Sequence, residues 1–108
     1  MYHAWIYLKS FLVGKGKAFH KTITVMTRRK PLIVDVRNPG EYKNGHLEGA
    51  VNISIDHLNA VIPELIRKQK PVIVTSLKGT RSERATNLLK EAGVEAYDGG
   101  SWSTLKKW

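Results

Sequence analysis

Cysteine is absent from all 108 residues. That excludes disulfide staples, thiolate metal ligands and any thiol nucleophile within the chain, and it says little about compartment because missing disulfides are ordinary in the cytosol. Acidic side chains are scarce as well: 9 Asp and Glu face 18 Lys and Arg, a formal charge of +9. No cluster of metal-ligand spacing is present, so no metal or other cofactor is expected. Long hydrophobic runs are missing too. The apolar stretch near the amino end is interrupted by Lys9, is too short to span a bilayer and is followed by no small-residue cleavage pattern. Neither a transmembrane helix nor a signal peptide is expected, which leaves cytoplasmic residence as the default.

What is present suits one compact domain. A hydrophobic content of 42% can build a core, and 4 Pro with 9 Gly do not suggest disorder. Strand-like runs at Leu32 to Val36, Ala50 to Ile53, Val72 to Thr75 and Val94 to Tyr97 are separated by helical or turn segments. This alternation predicts an α/β fold, a mostly parallel central sheet covered by helices on both faces. Leu58, Val61, Ile62, Leu65 and Ile66 recur at helical spacing and are expected in the core, with Pro63 in a first turn or at a break. Asn38-Pro39-Gly40 and Asn44-Gly45 read as turns, leaving at most a short helical piece at Glu41 to Lys43. Residues 1–30 form an amino-terminal extension expected to pack on the domain at 31–108. Within it Trp5, Leu8 and Leu12 suggest an amphipathic helix ended near Gly14, and Ile23 to Val25 fits an edge strand while Lys21 to Arg29 also fits a helix.

The segment richest in chemistry follows the most β-branched run. Pro71-Val72-Ile73-Val74-Thr75 suits a buried parallel strand, and Ser76 to Ser82 then leads into a helix striped by Ala85, Leu88, Leu89 and Ala92 and ended at Gly93. Thr80 and Glu83 have the spacing of a capping box, which sets the helix start near Thr80. A loop entering a helix amino end points backbone N–H groups into one concavity where the dipole favours negative charge. Leu77, Lys78, Gly79, Thr80, Arg81 and Ser82 are therefore the candidate anion-binding residues. Gly79 permits close approach, and Lys78 and Arg81 add positive charge. An ordinary strand-to-helix turn with solvated cations fits the local pattern equally well.

Ser76 to Ser82 resembles the active-site loop of the rhodanese family, Cys-x-x-Gly-x-Arg-Ser, with serine at the position of the catalytic cysteine. Asp35-Val36-Arg37, Glu41-Tyr42 and Gly45-His46-Leu47-Glu48-Gly49-Ala50 resemble the family's first signature, and Gly99-Gly100 with Trp102 its closing one. The likeness runs from about Pro31 to Trp102. It implies the rhodanese-like α/β domain and a sulfurtransferase, in which a cysteine thiolate takes sulfane sulfur from thiosulfate or a protein persulfide and passes it to a thiophilic acceptor. It also implies that Ser76 and Arg81 stand at the catalytic positions, and that Asp35, Arg37 and His46 are structural supports. Dual-specificity phosphatases of the same fold carry a loop one residue longer; here four residues separate Ser76 from Arg81, the sulfurtransferase spacing.

A serine hydroxyl offers no route to a stable persulfide, so the chain as written is expected to be inactive in persulfide transfer. Two origins stay open: an engineered Cys→Ser trap, or a naturally silent family member acting as an anion-binding or protein-interaction module. A serine hydrolase is disfavoured, since no Gly-x-Ser-x-Gly elbow exists and neither His46 nor His57 is placed as its base. The basic balance raises nucleic acid as a further partner, concentrated in Lys15, Lys17, His20, Lys21, Arg28, Arg29 and Lys30, but no recognised nucleic-acid module accompanies it. The gentler expectation is attraction of small anionic sulfur donors or an acidic protein partner.

Overall fold

Val72, Ile73 and Val74 are β-branched and lack polar alternation because both faces of their strand are covered: each is at most 1% exposed. The computed structural model describes Thr22, Thr24, Val25 and residues 28–107. The helix expected at Trp5, Leu8 and Leu12, the basic residues Lys15, Lys17, His20 and Lys21, and Trp108 lie outside the described residues. In chain order the elements are β1 (Leu32–Asp35), α1 (Pro39–Lys43), β2 (Val51–Asn52), a 3-10 turn (Ile55–His57), α2 (Leu58–Lys68), β3 (Val72–Ser76), α3 (Thr80–Glu91), β4 (Ala96–Ser101) and α4 (Trp102–Leu105).

The sheet order is β2-β1-β3-β4 and every pairing is parallel. Register runs from Leu32↔Val72 to Asp35↔Thr75 between β1 and β3, and from Val72↔Ala96 to Ser76↔Ser101 between β3 and β4. Side chains alternate across the sheet with period two, which divides the core. On one face Val34, Val36, Val72, Val74 and Ala96 meet Leu58 and Leu65 of α2 and Ala85 and Leu89 of α3. On the other, Ile73 meets Val25, Leu47, Ala50 and Leu105 of α4. Burying a Leu or Ile of this kind contributes about 1.5–3 kcal/mol. Thr22, Thr24, Val25 and Arg28 are helical, and Arg29 N–H donates to the Val25 carbonyl at 3.0 Å, so the described part of this stretch is helix and not an edge strand.

Several expectations are corrected at their boundaries. Val94 is not in β4: its N–H donates to Leu89 O at 2.9 Å, closing α3 behind Gly93, whose φ is +93°. β2 keeps only Val51 and Asn52 of the expected run. Asn38-Pro39-Gly40 is no free turn, since Pro39 occupies the first position of α1 where its missing N–H costs nothing. Pro63 lies inside a continuous α2, on its exposed side, where water can serve the carbonyl that the ring leaves unpaired. Ile66, the last residue of the five-residue stripe, leaves the core at 46% exposure near the carboxyl end of α2. Ala92, the last of the α3 stripe, caps the helix and is exposed.

A bulge sits opposite Val74 and Thr75, where pairing steps from Asp98 to Gly100 and leaves Gly99 as the additional residue. A Cβ at Gly99 would lie 2.7 Å from Leu105 Cδ1 and 2.9 Å from Ile73 Cγ2, so only glycine lets α4 close over β3. This brings the end of β4 alongside the end of β3, where the loop begins.

Candidate functional site

The site is built where β3 stops. Ser76 is its last residue and is fully buried. The chain then turns through exposed Leu77 and Lys78 to Gly79, which caps α3 in the left-handed conformation at φ +95°. An L side chain there would be strained, which accounts for the glycine. Thr80 is the first helical residue, as expected, but the Thr80/Glu83 capping box is not what holds the helix end. The chain folds back instead, and Ser76 Oγ accepts hydrogen bonds from Gly79 N at 3.1 Å and Ser82 N at 3.2 Å. Ser82 Oγ donates to Gly79 O at 2.9 Å, and Glu83 N donates to the same carbonyl at 3.0 Å. Thr75 Oγ1 ties the strand end to Gly100 O at 2.8 Å.

The heteroatom at position 76 therefore sits on two backbone N–H groups at a helix amino end, a setting that stabilises negative charge on that atom. Both bonds are donated to the oxygen, and neither comes from a base. A thiol in this seat would be biased toward thiolate; a hydroxyl, whose proton is held far more tightly, stays a hydroxyl. Thr80 and Arg81 add the remaining first-turn N–H groups, which have no carbonyl one turn behind them within the helix.

Arg81 does not face this atom through a hydrogen bond. Its Nη1 and Nη2 donate to Glu41 Oε1 and Oε2 at 2.7 and 2.9 Å, a two-pronged pair between α3 and α1. Glu41 also accepts from Asn38 N at 3.2 Å. The Arg81 guanidinium, more than desolvation or any other neighbour, holds the Glu41 carboxyl down at about 2. The same contact raises the Arg81 pKa. Sequence reasoning gave Glu41 no role; its only signal was its place in the Glu-Tyr motif.

The residues expected as supports make contacts of their own. Asp35 and Arg37 are 0% and 3% exposed. Arg37 Nη2 donates to Asp35 Oδ2 at 2.8 Å and to Gly45 O at 2.7 Å, and the guanidinium lies 5.0 Å from the centre of the Trp102 ring. His46 is exposed, stacked on Tyr42 with ring centres 3.7 Å apart, its Nδ1 2.8 Å from Tyr42 O. Tyr42 in turn donates to Ala50 O at 2.6 Å, so the segment before β2 is tied to α1. Among the described residues no group of three or more His, Asp or Glu is placed to hold a metal ion.

The rhodanese-like domain model matches residues 21–104, which includes every residue of the loop. The chain belongs to the rhodanese-like family. Within that family it is 40% identical over 83 residues to YqhL of Bacillus subtilis, an uncharacterized protein, covering 74% of this chain and 62% of that one. It is 34% identical over 79 residues to the thiosulfate sulfurtransferase GlpE of Shewanella oneidensis, covering 69% of this chain and 77% of the enzyme. The crystal structure of a Lactobacillus plantarum protein superimposes with a TM-score of 0.65 at 28% identity, over 98% of this chain and 93% of that one. The fold is thus the rhodanese α/β fold, and its relatives include sulfurtransferases.

Proposed function

We propose that the chain carries a sulfur-transfer pocket whose chemistry is silenced at one atom. In the native or ancestral form a cysteine stands at position 76. Its thiolate attacks the outer sulfur of thiosulfate, the S–S bond breaks, and sulfite leaves with the electron pair. The persulfide is then attacked at its outer sulfur by a thiophilic acceptor, which regenerates the thiolate. As written, Ser76 cannot enter this cycle, because a neutral hydroxyl without a base is a poor nucleophile. The observation that carries the reading is the seat of Ser76 Oγ on the Gly79 and Ser82 amides, a site shaped for an anionic heteroatom.

The test is thiocyanate formation from thiosulfate and cyanide by Ser76→Cys beside the unmodified chain, with circular dichroism to show that both are folded. Turnover by the cysteine variant alone is expected. A folded Ser76→Cys that is inert with thiosulfate and with persulfide donors overturns the proposal.

A second reading, a module that binds an anion or an acidic protein partner without chemistry, draws on Leu77 and Lys78 exposed at the loop tip. Nucleic-acid binding has weaker support. Of the amino-terminal basic residues, the described Arg29 is paired with Glu95. Among the described residues no helix is long and apolar enough to cross a membrane.

A further inference from the structure

The two cations of the loop are not equivalent. Lys78 is exposed at the tip and makes no ion pair among the described residues. Arg81 is committed: both ends of its fork meet both oxygens of Glu41. A guanidinium presents just this pair of parallel donors to a planar or tetrahedral oxyanion. Glu41 thus occupies the paired donors of Arg81 that an oxyanion would take. Its carboxylate is held in place by a third donor, Asn38 N, at the amino end of α1. The side chains of the pair are 32% and 30% exposed, so water and small solutes reach the contact.

We propose that Glu41 is a positioning residue that sequesters Arg81, so that the affinity of the loop for a sulfur oxyanion is set by how well that anion competes with the Glu41 carboxylate. The proposal rests on the reading of the loop as an anion seat. A doubly charged oxyanion such as thiosulfate or sulfate competes better than a singly charged one, because the exchange returns Glu41 to water and places greater charge on the guanidinium. Release of Arg81 also adds a bidentate, charge-assisted contact to the bound anion.

The experiment is calorimetric titration of sodium thiosulfate, and of sodium sulfate, into four folded proteins: the unmodified chain, Glu41→Gln, Arg81→Gln and the double variant. Release of a charge-assisted fork is expected to tighten thiosulfate binding by Glu41→Gln about tenfold. In the Arg81→Gln background the same change is expected to alter affinity by less than about twofold, since the cycle isolates the contribution that passes through Arg81. Binding by Glu41→Gln that is unchanged or weaker overturns the proposal, as does an equal gain in both backgrounds, which reports only the loss of a nearby negative charge. Absence of binding by all four proteins overturns it too.

The same substitution in the Ser76→Cys background separates this proposal from the sulfur-transfer reading. It is expected to lower KM for thiosulfate several-fold with kcat little changed. An active Ser76→Cys whose KM ignores Glu41→Gln sinks the role of Glu41 and leaves sulfur transfer standing. An inert Ser76→Cys, with tighter anion binding by Glu41→Gln, sinks sulfur transfer and leaves the role of Glu41 intact.

Discussion

Two arginine–carboxylate pairs lie near the carboxyl end of the sheet, and they differ in their access to water. In Asp35–Arg37 the side chains are 0% and 4% exposed; in Glu41–Arg81 they are 30% and 32% exposed. Asp35 and Arg37 are two residues apart at the end of β1, so the strand itself holds the pair, and Gly45 O and the Trp102 ring fill the remaining sides of the guanidinium. Glu41 and Arg81 come from α1 and α3, joined only by the fold. The buried pair is part of the frame because neither charge could be left without the other; the open pair can exchange partners because solvent will accept either member.

The largest effect that could break this contrast comes from Asp35→Asn. It leaves Arg37 charged, buried and short of its anion, at a cost of about 3–5 kcal/mol. At about 4–8 °C per kcal/mol for a domain of this size, Tm in a thermal melt should fall by more than about 12 °C. A drop of only a few degrees would place Asp35–Arg37 in the same class as the open pair. Replacing both members by apolar residues, as in Asp35→Val with Arg37→Met, should recover part of that loss, since the uncompensated charge is gone. Recovery stays incomplete because the bond to Gly45 O and the contact with Trp102 go with Arg37.

Glu41→Gln should cost only about 1 kcal/mol in urea unfolding at low salt, the scale of a solvent-screened pair. Its pH dependence has a defined sign. The folded-state pKa of Glu41 lies at about 2, below its ordinary 4.5, so the pair's stabilisation is complete above about pH 4.5 and is lost as pH falls toward 2. The stability gap between the unmodified chain and Glu41→Gln should therefore be present at neutral pH and close across that interval. A gap that persists in acid would assign the effect to packing. The smallest effect is that of salt: about 1 M sodium chloride should shrink the Glu41→Gln penalty and leave the Asp35→Asn penalty nearly unchanged, since screening acts on exposed charges.

Local pattern made much of this molecule legible. The unbroken β-branched run at Val72 to Val74 marked the central strand because both of its faces are covered, and Gly93 marked the end of α3 because the left-handed turn there demands glycine. The loop between Ser76 and Ser82 was legible as a strand-to-helix junction for the same reason. Pattern failed where a group outside the local rule decided the outcome. Thr80 and Glu83 satisfied a local capping rule, yet the Glu83 amide that the rule assigns to the Thr80 hydroxyl donates to Gly79 O at 3.0 Å, while Ser76 Oγ takes the Ser82 amide at 3.2 Å. Ile66 matched the apolar stripe of α2, but burial depends on how much sheet lies beneath the helix. Pro63 sits on the water-facing side of α2, and periodicity alone does not reveal that water can serve the carbonyl left unpaired.

The sequence by itself determined the family, the parallel α/β architecture and the absence of any thiol from the chain. These follow from residue identity, spacing and hydrophobic period, which are local properties of the chain. Tertiary structure alone decided that the Ser76 hydroxyl is fully buried on two amides and that the Arg81 guanidinium is held by Glu41. Both contacts depend on where separate elements meet. Glu41 and Arg81 are forty residues apart in the chain, and only the fold brings the two side chains together as one ion pair.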